Sequence, residues 1–171
     1  MSSLQWTIKI LSLISLQLQN GTMTEKTYKH ILLADDDPDD CEFFLEVFTE
    51  NFPEVKLSIS NDGAELMTLL EGPPDPQADL IFLDLNMPIL SGVECLEKIR
   101  TSLELNQHIV VIFSTSSNDS DIQKMYEMGA NYFITKPVDY KHLVKLIAKA
   151  MTLVSETHNQ QPPFENFYIK I

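Results

Sequence analysis

Four places in the chain set a chemically active side chain where a short apolar run stops. Asp35 and Asp36 follow Ile31-Leu32-Leu33-Ala34, and Asp84 follows Leu80-Ile81-Phe82-Leu83. Ser114 follows Ile109-Val110-Val111-Ile112-Phe113, and Lys136 follows Tyr132-Phe133-Ile134-Thr135. Short apolar runs bounded by turn formers read as buried strands of a parallel sheet. In such a sheet all carboxyl ends share one edge, so these five side chains converge where open α/β sheets bind their ligands. Three carboxylates gathered there repel one another unless something positive sits among them. Mg2+ is the natural solution, because it takes carboxylate, water and phosphate oxygens. Lys136 adds a fixed cation and Ser114 a hydroxyl donor, which suits an anion arriving at Asp84, most simply a phosphoryl group. Asp84 has three readings at this point: nucleophile, metal ligand or structural cap.

Each of these residues also has a plainer explanation. An aspartate pair after a strand is commonly turn chemistry. A single lysine is usually a surface charge, and a serine at a strand end usually bonds nearby backbone. Asp37 reads as a helix cap. Five coincidences on one edge favour the joint, chemical reading.

The elements that must position them follow from local pattern. Strand 1 is Ile31 to Ala34. Pro38 suits the first position of helix 1, with Asp37 as N-cap and Asp39 and Asp40 near the positive helix end. Cys41, Phe44, Leu45, Phe48 and Phe52 recur at helical spacing and predict its apolar face. Strand 2 is Val55 to Ser60, and helix 2 runs from Asp62 to Leu70 with an Asp62-x-x-Glu65 capping box. Gly72-Pro73-Pro74-Asp75-Pro76 is loop, since consecutive prolines cannot continue a helix. After the strand ending at Asp84, Ser91-Gly92-Val93-Glu94 opens helix 3 with a capping box. Val93, Leu96, Ile99 and Leu103 form its inner side.

Ile109 to Phe113 is strand 4, and helix 4 spans Asp119 to Met128, with Gly129 as its C′ residue. Asn131 to Thr135 is strand 5, and Lys136-Pro137 closes it. Asp139 caps helix 5, whose Leu143, Leu146, Ile147, Ala150 and Val154 face inward. Five strands alternating with five helices predict a doubly wound α/β fold, a parallel sheet covered on both faces.

Length and composition bound the rest. At 171 residues the chain reads as one domain with short appendages. The net charge of −13 argues against a nucleic-acid surface and against docking on anionic membranes. Cys41 and Cys95 show no metal-ligand spacing and read as reduced packing residues of a cytoplasmic protein. Residues 1–28 form an N-terminal extension. Its Leu4 to Leu18 stretch is too short to span a membrane and lacks a signal-peptide pattern. That leaves two readings: an extension that pairs or packs somewhere, or, the favoured one, sequence upstream of a natural start at Met23. Residues 155–171 form an aromatic tail with Phe164, Phe167, Tyr168, Ile169 and Ile171. It reads either as a docking segment or, the favoured reading, as packing on its own domain, because a free aromatic tail leaves apolar area bare.

Residues 29–154 resemble the receiver domain of two-component response regulators. The likeness rests on the acidic pair after strand 1, Asp84-x-x-Met87-Pro88 after strand 3, Ser114 after strand 4 and Lys136-Pro137 after strand 5. The resemblance implies a flavodoxin-like strand order, 2-1-3-4-5. It implies that Asp84 is the phospho-accepting nucleophile. Asp36 would bind Mg2+ directly, Asp35 largely through water, and Asp84 and the Asn86 backbone carbonyl would complete the protein ligands. Lys136 would pair with the phosphoryl oxygens, Ser114 would bond the phosphate, and Phe133 would occupy the place of the switch aromatic. Two departures stand out. Phe133 carries no hydroxyl where tyrosine is frequent in the family, and Asn86 and Ser116 sit at positions that tune phosphoryl lifetime.

The function implied is a stand-alone receiver, a signalling switch rather than an enzyme acting on other substrates. Its phosphodonor would be a sensor histidine kinase or a histidine phosphotransfer protein. Its output would be contact with a downstream protein or a homodimer through the face of helix 4, strand 5 and helix 5. Against it stands a receiver fold serving as an unphosphorylated interaction module, which has no need of the full acidic set and Lys136. A haloacid dehalogenase-like phosphatase would require a second acid where Asn86 stands. A flavodoxin-type carrier would require an uncharged phosphate loop where Asp35-Asp36-Asp37 stands. A calcium loop would require alternating acids and a central glycine.

Overall fold

The computed structural model describes residues 28–72, 77–157 and 160–171. Most of the N-terminal extension, including Leu4 to Leu18 and Met23, and Pro73 to Pro76 lie outside them. The strands are β1 (His30–Ala34), β2 (Lys56–Ser60), β3 (Leu80–Leu83), β4 (Val110–Ser114) and β5 (Tyr132–Thr135). The helices are α1 (Pro38–Asn51), α2 (Gly63–Glu71), α3 (Gly92–Thr101), α4 (Asp119–Glu127) and α5 (Tyr140–Glu156). All strands are parallel, in the order β2-β1-β3-β4-β5. The flavodoxin-like fold read from the sequence is the fold observed.

Local chemistry accounts for most element ends. Asp37 accepts from the N–H groups of Asp39 and Asp40, and Asp139 from that of His142. Ser91 and Glu94 form a reciprocal capping box. At the end of α4, Gly129 takes φ +86°, its N–H donates to Tyr126 O, and that of Ala130 donates to Met125 O. These two bonds form a Schellman cap, which requires the left-handed conformation that glycine adopts without cost. The Asp62–Glu65 pair closes differently from the expected box. Asp62 accepts from the Glu65 N–H, but Glu65 reaches past Asp62 to the N–H of Asn61.

Side chains alternate between two cores. Ile31, Leu33, Leu80, Phe82, Val111, Phe113, Tyr132 and Ile134 face α1 and α5. Leu32, Ala34, Ile81, Leu83, Val110, Ile112 and Phe133 face α2, α3 and α4. Two expected inner positions are exposed. Leu45 lies at the flank of the α1 stripe, which centres on Phe44 and takes in Val47 instead. Leu103 is 91% exposed because α3 ends at Thr101, so the helical period no longer applies there, and Leu105 turns inward.

The C-terminal segment packs on the domain. Residues Phe164–Asn166 make one 3-10 turn, after which the chain bridges β5 in parallel, with Tyr168 opposite Phe133. The Phe133 N–H donates to Phe167 O (3.0 Å) and the Ile169 N–H donates to Phe133 O (2.9 Å). Phe167 and Tyr168 lie against one core and Ile169 enters the other, a departure from strand alternation that follows from the helical backbone of Phe167. The β5 edge is therefore covered by the chain itself, and a second copy pairing there would have to displace residues 167–169.

One close approach ties the fold to the site. A Cβ on Gly92 would lie 1.9 Å from the backbone oxygen of Asp84, so α3 starts directly against that residue. Gly92→Ala is expected to destabilise the protein by about 1–3 kcal/mol through overpacking. Urea unfolding would show a lower midpoint at unchanged slope.

Candidate functional site

Register brings the chemistry together. Ala34 pairs with Leu83, so Asp35 and Asp84 are the next residues of adjacent strands. Ser114 pairs with Thr135, so Lys136 follows immediately. The alternation of strand side chains places Asp35, Asp84 and Lys136 on the α1/α5 face. Backbone bonds continue the ladder past the strand ends: Asp84 N–H to Ala34 O (2.9 Å), Asp35 N–H to Ser60 O (3.0 Å) and Lys136 N–H to Ser114 O (2.8 Å).

The ammonium of Lys136, almost wholly buried, is the hub. Its Nζ lies 2.7 Å from Asp35 Oδ2, 2.8 Å from Asp40 Oδ2 and 3.6 Å from Asp84 Oδ2. The Phe113 ring lies 5.6 Å from it and adds a cation–π contact. Asp84 Oδ1 accepts the Leu85 N–H at 2.8 Å, and Asp35 Oδ1 accepts that of Asp37 at 3.1 Å. Asp35 Oδ2 is buried and has no hydrogen bond, because the Lys136 contact is close in distance but poorly directed. Ser114 is fully buried, and its Oγ accepts the Ser116 N–H at 3.3 Å.

One ammonium faces several carboxylates, and the charge balance is visible in their acidities. Burial pushes the Asp35 carboxyl up to about 6, against the pull of Lys136. Burial also raises Asp84, again opposed by Lys136. Burial acts to lower Lys136, but its close ion pair with Asp35 and its bond to Asp40 outweigh that and hold it above the ordinary lysine range. Lysine therefore stays charged, and the surplus is negative.

Carboxylate oxygens of Asp35, Asp36 and Asp84 lie within 4.8 Å of one another. Three hard oxygen donors, surplus negative charge and an unbonded buried oxygen fit a divalent cation of the oxygen-seeking class. The structure thus brings together Asp35, Asp84 and Lys136 directly, with Asp36 exposed at the rim and Ser114 beneath the edge. Phe133 is fully buried on the opposite face, against Phe167 and Tyr168.

The sequence pattern alone makes Asp40 an acid at the positive end of α1. In the structure it is a direct partner of Lys136, 96 residues away. Parity carried the missing signal, since it put Lys136 on the face that α1 covers. Ile89, with φ 65°, is the one non-glycine residue with positive φ among the described residues. It sits in the tight Pro88–Leu90 turn beyond Met87, where the Leu90 N–H donates to Pro88 O (2.7 Å). A β-branched residue in that conformation is strained, and such strain clusters at functional sites.

Residues 31–148, more than half of the chain, match the model of the response regulator receiver domain. Response regulator Rcp1 of Synechocystis sp. is 33% identical over 123 residues, covering 70% of this chain and 84% of that protein. The crystal structure of the Mn2+-bound form of Rcp1 has a TM-score of 0.66, covering 75% of this chain and 96% of that one. The phosphorylated cyanobacterial phytochrome response regulator RcpA is 30% identical with a TM-score of 0.67, covering 80% of this chain and 99% of its own.

The raised Asp35 carboxyl has a measurable sign. The folded state holds that proton more tightly than the unfolded chain does. Its contribution is therefore full below about pH 4 and is lost as pH rises through about 6. Asp35→Asn should accordingly be more stable than the parent above pH 6 when no divalent cation is present. The parent should gain about 2.7 kcal/mol from a cation at a hundredfold excess over its Kd, and the variant much less. Thermal melts across pH 4 to 8, with chelator and with Mg2+, give both comparisons.

Proposed function

The chain belongs to the response regulator receiver family, and from that premise we propose how its site works: Asp84 accepts a phosphoryl group from a phosphohistidine, with Mg2+ as the cation. Membership makes this a phosphoryl-accepting signalling domain. The assignment of residues rests on one observation above all, the Lys136 ammonium lying beside both Asp35 and Asp84 at the carboxyl edge.

Asp84 Oδ1 is engaged by the Leu85 N–H, which leaves Oδ2 to attack. The new bond joins that oxygen to phosphorus, the phosphorus–nitrogen bond of the donor breaks, and its electron pair leaves with the imidazole. Mg2+, when bound by Asp35, Asp36, Asp84 and the Asn86 carbonyl, supplies charge stabilisation for the transferring oxygens. Lys136 lies on the Oδ2 side, so its ammonium meets a phosphoryl oxygen with little movement. Asp40 gives that ammonium a second anchor, and the Phe113 ring keeps water from its underside. Ser114 exchanges its Ser116 contact for a phosphoryl oxygen. The Mn2+ named for Rcp1 and the phosphorylation named for RcpA support this reading.

The donor would be a histidine kinase or histidine phosphotransfer partner, and the output a protein contact controlled by phosphate. No helix among the described residues is long and apolar enough to cross a membrane, and a cytoplasmic setting suits both partners. Intact-mass measurement after incubation with a small-molecule phosphodonor and Mg2+ should show one phosphoryl adduct. Asp84→Asn should show none, and Lys136→Ala should label about a hundredfold more slowly or worse. An adduct that persists on Asp84→Asn overturns the assignment.

A further inference from the structure

The switch position carries Phe133, which has no hydroxyl, yet a phenol stands next to it. Tyr168 of the C-terminal segment lies edge-on to Phe133, with ring centroids 5.8 Å apart. Its hydroxyl is 2.8 Å from Thr135 Oγ1, and Thr135 Oγ1 is 3.0 Å from the Ser116 carbonyl oxygen. Proton direction follows from chemistry. A carbonyl only accepts, so the single Thr135 proton goes to Ser116, and Tyr168 must donate to Thr135. The chain therefore runs from Tyr168 through Thr135 to the backbone of Ser116. Ser116 in turn donates its N–H to Ser114 Oγ.

We propose that Tyr168 couples the C-terminal segment to the phosphorylation site, so that loading of Asp84 weakens the docking of residues 164–171 on β5. This rests on Asp84 being the acceptor. When Ser114 Oγ turns to a phosphoryl oxygen it gives up the Ser116 N–H, and the backbone that carries both groups moves with it. The Ser116 carbonyl is the far end of the Tyr168 chain, so its displacement removes the bond that holds the phenol.

The rest of the docking combines the burial of Phe167 and Ile169 in the two cores with a few polar contacts: two backbone bonds to Phe133, Gln161 donating to the Tyr126 and Ala130 carbonyls, and Lys149 donating to the Lys170 carbonyl. That burial holds the segment on the sheet, so the Tyr168 link adjusts the docking and does not by itself decide it. Coupling of this kind is reciprocal. Removing the phenol hydroxyl should weaken docking in the unloaded protein and make loading easier.

The test is hydrogen exchange of the peptide covering residues 164–171 in the full chain, with and without Mg2+ and beryllofluoride. Intact-mass phosphorylation is run in parallel. Exchange in the parent should quicken by about two- to tenfold on loading, the range that one net hydrogen bond supplies. Tyr168→Phe keeps the ring but lacks the link, and should exchange faster before loading and change little after it. Thr135→Val, which removes the relay and leaves Tyr168 intact, should behave the same way.

A parent that takes up phosphate on Asp84 while its segment exchanges at an unchanged rate overturns the coupling and leaves the phosphorylation reading standing. A parent that takes up none overturns both. Protection that rises with protein concentration would assign the docked strand to a second copy and overturn the link within one chain.

Discussion

A single buried ammonium among several carboxylates is the constraint on which this molecule depends. Asp35, Asp40 and Asp84 all lie within reach of Lys136 Nζ, and one positive charge cannot offset them. Burial magnifies the imbalance by removing the water that would screen it. The fold accepts that cost because register leaves no alternative. Once Ala34 pairs with Leu83 and Ser114 with Thr135, the next residues of these strands must meet. A site held at surplus negative charge is primed for a cation.

The same sheet divides these side chains between its two faces. Alternation sends Asp35, Asp84 and Lys136 toward α1 and α5, and Phe133 toward α2, α3 and α4. At the strand ends Ser114, Ser116 and Thr135 are joined by backbone and hydroxyl bonds. The C-terminal segment closes the open edge of β5 beside them. An uncovered edge strand is a liability for unspecific pairing, and here the covering segment ends beside the loop that follows β4.

Much of the architecture was legible without coordinates because its causes are local. Asp37, Ser91 and Asp139 cap helices through bonds that span two or three residues. Gly129 stops α4 because few residues tolerate its φ. Continuous apolar runs announced β1, β3 and β4. Errors arose where a local rule was carried past its range. Leu103 was placed by a helical period that had already ended, and Leu45 by spacing alone, when the position of α5 decides which flank of α1 is covered. Glu65 accepts from the backbone and side-chain N–H groups of Asn61 in place of the Asp62 N–H.

The sequence alone determined the five strands, most helix ends and the five side chains at the carboxyl edge, since each depends on residues within a turn or two of itself. Tertiary structure decided the rest. Asp40 became a partner of Lys136 only when α1 packed on the sheet beside α5, and Tyr168 met Thr135 only when the last residues reached the sheet edge. Both contacts join residues far apart in the chain, and neither end carries a pattern that names the other. Their energy comes from burial and strand pairing, which exist only once the sheet is assembled.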